Sequence, residues 1–170
     1  MLTRVKHSLK MAARRNVMAI LRVACRDIMK EHSTGHTECF YEKMISQFLY
    51  ERDIPFITQT DCFVQTACAQ VLVGRIDMEI DHSTVVELKV GTCVRRADMQ
   101  QLMKYVRAKR ASGIRVTHAV VICFRTDGRV QFQEVELDSV LSNEKSLVPY
   151  SEMQRPLCRT RRLLSSCFSA

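Results

Sequence analysis

The chain has no apolar run long enough to span a bilayer, and its N-terminus lacks the apolar core of a secretory signal. None of its eight cysteines (Cys25, Cys39, Cys62, Cys68, Cys93, Cys123, Cys158 and Cys167) forms a C-x-x-C pair, so their spacing argues against a zinc site. Without an export signal, and with a chain that is neither small nor loop-rich, a disulfide framework also fits poorly. Cys25 and Cys123 lie inside apolar stretches and read as small buried hydrophobes. The expected compartment is reducing and intracellular, cytoplasm or nucleus. There is no internal repeat, and no acidic residue precedes Asp27. That absence leaves Arg4, Lys6, Lys10, Arg14 and Arg15 uncompensated. Such a stretch suits an organellar targeting segment or an arm that contacts phosphates. It runs into a helix pattern with no processing boundary, which favours the arm.

What is present suits one domain with a proper core: 170 residues, 46% hydrophobic and 26% charged. The net charge of +8 favours an anionic partner, nucleic acid ahead of an acidic membrane surface. The expected organisation is a basic arm over 1–16, a single domain over 17–141 and a basic tail over 142–170. The tail holds Arg155, Arg159, Arg161 and Arg162.

Within the domain, Val17, Ile20, Leu21, Ala24 and Ile28 recur at helical spacing and predict a helix over roughly 16–31. A second helix is predicted over 37–51, with Thr34 or Thr37 as N-cap, Glu38 in its first turn and Tyr41, Ile45 and Leu49 along one strip. An acid in a first turn is often only a partner for the helix dipole. Residues 56–65 and 68–73 read as strands, and Gly74 marks a bulge or a close approach of another backbone. Asp98 reads as the N-cap of a helix over 99–110 with a core stripe of Met99, Leu102, Met103 and Val106. Gln101, Lys104, Tyr105 and Ala108 fall on its other side. Residues 116–124 read as a strand buried on both faces, and 130–137 as a more polar edge strand.

The middle of the chain is a hairpin, Gly74–Ile80 and Thr84–Val90, with both arms alternating apolar and polar. Centring the turn on His82 sets Ile80 opposite Thr84, Met78 opposite Val86, Asp77 opposite Glu87 and Arg75 opposite Lys89. Ile76, Met78, Val86 and Leu88 then make a core face, and Asp77, Glu87 and Lys89 share the other. Two carboxylates opposite each other on neighbouring strands repel unless something neutralises them. A hard divalent cation with oxygen ligands would do so. Taken alone, the D…E-x-K pattern serves equally well as a solvated strand face.

Four motifs in order raise that pattern above chance. Gly35-His36-Thr37-Glu38-Cys39-Phe40-Tyr41 is followed by Arg75-Ile76-Asp77, then Val85-Val86-Glu87-Leu88-Lys89, then Gln101-Leu102-Met103-Lys104-Tyr105. In these residues, over about Val17 to Phe124, the chain resembles the PD-(D/E)XK nuclease superfamily in its RecB-like branch. More closely, it resembles the small GxxExxY proteins of bacteria and large DNA viruses. Met78-Glu79 departs from that pattern and adds a third carboxylate to the polar face. Cys158 and Cys167 lack the clustered spacing of the iron–sulfur sites in some RecB-like nucleases, so no cluster is carried over.

The resemblance implies an α/β fold with a restriction-endonuclease-like core (α-β-β-β-α-β) and a mixed central sheet flanked by helices. It also implies metal-dependent phosphodiester hydrolysis, of DNA before RNA. Asp77, Glu87 and the carbonyl of Leu88 would hold Mg2+ or Mn2+, with Glu38 completing the site or supporting a second ion. Lys89 would orient water or stabilise charge on the phosphate, and Gln101 and Tyr105 would orient the water, Lys89 or the strand. The plain alternative for Tyr105 is helix-to-sheet packing. Arg75, Arg95, Arg96 and Lys104 are candidates for phosphate contacts, as are Arg107 and Lys109. A reading from another class is a non-catalytic module that binds nucleic acid or a protein on the same fold.

Overall fold

The computed structural model describes residues 17–135 and Leu137. The basic arm and the basic tail lie outside the described residues, with Cys158 and Cys167. Two helices come first, α1 (Val17–His32) and α2 (Glu38–Tyr50). The hydroxyl of Thr37 caps α2, accepting the Phe40 amide at 3.3 Å. Strands β1 (Phe56–Gln65), β2 (Gln70–Ile80) and β3 (Thr84–Gly91) follow, then helix α3 (Arg96–Ala111), β4 (His118–Arg125) and β5 (Val130–Glu134).

The five strands form one mixed sheet in sequence order. β1, β2 and β3 pair antiparallel, β3 and β4 parallel, and β4 and β5 antiparallel. The parallel pair requires a crossover, and α3 supplies it. β1 and β5 are the edges. β4 is buried on both faces from Ala119 to Phe124, as its unbroken apolar run predicts.

Each face of the sheet has its own core. Val17, Leu21, Cys25 and Ile28 of α1 and Tyr41, Ile45 and Leu49 of α2 pack on Met78, Ile80, Val86, Leu88, Val120, Ile122 and Phe124. Leu102, Tyr105, Val106 and Ala108 of α3 pack on Ile76, Val85, Ala119 and Val121. The central hairpin turns through Asp81 and His82, both with positive φ (49° and 58°), and its register matches the expected one through Met78↔Val86.

Four expectations need correction. Ile76 does not share a core face with Met78, Val86 and Leu88 but packs under α3. α3 begins at Arg96, not Met99. Arg95 takes the N-cap position, and Asp98, at the third helical position, accepts the Arg95 amide at 2.8 Å. Tyr105 and Ala108 are buried, not on the far side of that helix, because α3 sinks a wider stripe into the sheet than four positions suggested. β5 ends at Glu134, and Leu137, read as strand, is instead buried in the α3-side core.

Candidate active site

Gly35 adopts φ of 94°, a backbone conformation that favours glycine, and turns the chain out of α1 toward α2. The three-residue step from Glu38 to Tyr41 then divides their work. Tyr41 is driven into the core, where its ring stacks on Phe124 at 3.8 Å and 6°. Glu38 stays exposed at the first position of α2, and its Oε1 accepts the Val90 amide of β3 at 3.2 Å. The helix thereby delivers a carboxylate to the far end of the strand that carries Glu87 and Lys89.

The ladder between β2 and β3 stops after Met78↔Val86. Beyond that point the Leu88 amide donates to Asp77 Oδ2 at 2.8 Å, so a side chain stands where main-chain pairing would continue. Glu87 is 1% exposed. Its Oε1 accepts Lys89 Nζ at 2.5 Å, while its Oε2 is buried with no hydrogen-bond partner among the described residues. An orphaned carboxylate oxygen in a buried position is costly unless something positive meets it.

The protonation chemistry follows from this crowding. Burial, which the Lys89 ammonium opposes and the charges of Asp77 and Glu38 reinforce, leaves the Glu87 carboxyl raised to about 7. Burial also raises Asp77, against the opposing bond from the Leu88 amide. For Lys89, burial works against the charged form, but the Glu87 contact and the charges of Glu38 and Asp77 outweigh it, so its pKa lies above the usual value.

α3 backs the site. Gln101 Nε2 donates to Tyr105 Oη at 2.9 Å. Tyr105 is 3% exposed, and its ring lies against Gly74, where an added Cβ would fall 2.7 Å from Oη. The bulge expected at Gly74 is present, since the register shifts from Cys62↔Gly74 to Phe63↔Leu72, and the close approach there comes from a side chain. Tyr105 packs helix to sheet and at the same time feels the charges of Glu87 and Asp77, which add to burial in raising its pKa.

The expected phosphate contacts divide. Arg75 is ion-paired with Asp61 at 2.8 Å and Arg95 with Asp98 at 3.2 Å. Lys109 pairs with Glu79 at 2.7 Å, which removes Glu79 from the central carboxylates and Lys109 from the phosphate candidates. Arg96 and Lys104 are exposed on α3. Two residues not singled out from the sequence, Glu42 and Gln59, stand beside Asp77. Glu42 lies one helical turn beyond Glu38, a spacing that could have drawn attention to it. Gln59 carries no sequence signal.

Among the described residues, no three His, Cys, Asp or Glu side chains are gathered closely enough to hold a metal ion. The donor chemistry nonetheless fits a hard divalent cation. Asp77 and Glu87 offer oxygen, both are held against the charged form by burial, and Glu87 Oε2 has no hydrogen-bond partner among the described residues.

A family model described as the PD-(D/E)XK nuclease superfamily matches residues 15–135, from the start of α1 past the end of β5. The chain belongs to the PD-(D/E)XK nuclease superfamily. Members of that superfamily are usually metal-dependent nucleases acting on nucleic acid, and the mixed sheet flanked by helices agrees with its restriction-endonuclease-like fold. No curated protein and no solved structure matched the chain. Asp77 lies on β2, and Glu87 and Lys89 lie on β3.

Proposed function

We propose that this chain is a Mg2+- or Mn2+-dependent deoxyribonuclease of the RecB-like, GxxExxY kind, acting as an exonuclease in repair, recombination or replication. The observation that carries this reading is the buried, unpartnered Oε2 of Glu87, with Asp77 on the adjoining strand and Lys89 bonded to the other oxygen. Three buried or half-buried charged groups at one end of the central strands are better explained by use than by packing.

Asp77, Glu87 and the carbonyl of Leu88 would hold the cation, with Glu38 completing the set or supporting a second ion. When bound, the cation polarises the scissile phosphate and makes a water molecule more acidic. The chain's own residues do the rest. Lys89, held against Glu87 Oε1, would place a positive charge by the oxygen that gains charge on the phosphorus. Glu87 Oε1 aims that ammonium. Gln101, tied to Tyr105 by its side-chain amide, would orient the water, Lys89 or the strand. Arg96 and Lys104 supply charge for the flanking backbone of the substrate.

The test is cleavage of end-labelled linear, circular and branched DNA, and of matching RNA, with Mg2+ or Mn2+. The wild-type protein should degrade linear DNA from its ends, and Asp77→Ala and Lys89→Ala should not. Binding without cleavage under every divalent metal would instead leave a non-catalytic nucleic-acid-binding module.

A further inference from the structure

β1 and β2 change faces at the same level. On β1, Phe56 packs with the α1–α2 core, whereas Cys62 and Val64 pack under α3. On β2, Met78 and Ile80 belong to the first core and Ile76 to the second. All these residues on each strand are an even number of positions apart, so an unbroken strand would keep them on one face. The register survives the change: Thr58 pairs with Met78 and Thr60 with Ile76. Between them, the Gln59–Asp77 position drops out of the ladder.

The cause lies at Gln59. Its φ is 53°, the left-handed region that a glutamine rarely adopts, and it sits in the middle of a ten-residue strand. Such a conformation persists only where the surroundings compensate for it. Here the compensation is visible in the side chain. Gln59 Nε2 donates a hydrogen bond to Glu42 Oε2 of α2, and the same side chain stands opposite Asp77, between Thr58↔Met78 and Thr60↔Ile76, and interacts with its carboxylate. Glu42 in turn lies one helical turn past Glu38. A strand, a helix and the central aspartate are thus joined by one amide.

We propose that Gln59 is a positioning residue for Asp77: its left-handed backbone takes Asp77 out of the strand ladder, and its amide, anchored by Glu42, fixes where that carboxylate points. The inference rests on the reading of Asp77 as a metal-holding group. Neither Gln59 nor Glu42 belongs to the D…E-x-K pattern. Partners that orient metal-holding carboxylates act on affinity without touching the ion themselves.

Gln59→Gly separates the two parts of the role, because glycine accepts the left-handed backbone without strain but removes the amide. Glu42→Ala removes the anchor from a helix surface and leaves the strand intact. The readouts are the melting temperature of the metal-free protein, the affinity for Mn2+ by calorimetry, and kcat and KM on linear DNA. Gln59→Gly should melt at or above the wild-type temperature and yet bind Mn2+ about 10-fold more weakly. Glu42→Ala should lose a similar factor, and the double variant should be little worse than either, since both act through one bond. The loss in cleavage should appear in kcat, with KM for DNA little changed.

Wild-type affinity for Mn2+ in either single variant would overturn the proposal, as would a wild-type protein that takes up no Mn2+. The failure of the nuclease reading looks different. A protein that binds Mn2+ in a Gln59-dependent way but cuts nothing retains the positioning role and loses the hydrolysis.

Discussion

The two faces of the sheet are built on different terms. The α1–α2 face is closed almost entirely by apolar side chains, with Leu21, Ile45, Leu49, Met78, Val86 and Ile122 fully buried and the Tyr41 ring laid on Phe124. The α3 face buries charge among its apolar residues: Glu87, Asp98 and the Glu79–Lys109 pair. Most of that charge is answered on the spot, Asp98 by the amide and guanidinium of Arg95 and Glu79 by Lys109. Glu87 is answered at one oxygen only. The contrast teaches where to look for chemistry. A buried charge met by an opposite one belongs to the architecture, whereas a buried carboxylate oxygen with no partner among the described residues marks that place.

If the faces divide in this way, damage to them should separate activity from stability. The largest effect belongs to the charged face. Lys89→Ala or Asp77→Ala should lower cleavage on the order of 10^3-fold, or about 4 kcal/mol in the barrier. Retention of more than a tenth of wild-type activity in single-turnover assays would dissolve the distinction. On the apolar face, Ile45→Ala should cost about 2–5 kcal/mol in denaturant unfolding. The surviving folded protein should keep its response to Mn2+.

The metal-free protein should also carry a pH signature from Glu87. Its carboxyl is raised in the folded state to about 7, so the folded protein holds that proton more tightly than the unfolded chain. Stability should therefore fall as pH rises from the unfolded carboxylate range through about 7, by up to about 3 kcal/mol, and level off above it. Glu87→Gln should remove that slope, and so should added Mn2+ at neutral pH. A slope that survives the substitution would assign the titration to another group. The smallest effect is expected at the rim. Lys104→Ala should weaken DNA binding evenly across sequences and reduce the salt slope by about 0.9, measured as log affinity against log salt.

The elements themselves were readable because their signals are local. Apolar spacing marks α1 and α2, the continuous run marks β4, and the alternating arms set the register of the central hairpin through Met78↔Val86. The candidate residues Glu38, Asp77, Glu87 and Lys89 were legible as types in a spacing. What escaped was whatever depends on contacts between elements. The change of faces at Gln59 and Asp77 moves Ile76 to the other core, and no alternation pattern carries a backbone φ. The burial of Tyr105 beside the expected core stripe is not legible because the depth of a helix over a sheet is a tertiary property. Asp98 looked like an N-cap because its spacing from Arg95 matters only when the guanidinium folds back on it.

Gly74 has a mechanical consequence. With no Cβ on that residue, the phenol of Tyr105 rests directly on the main chain of β2. The height of the crossover helix above the carboxylates is therefore gauged by a ring seated on bare backbone. A single methyl group at that point would act as a shim, lifting Tyr105 and Gln101 together and loosening the back wall of the site without altering any of its charges.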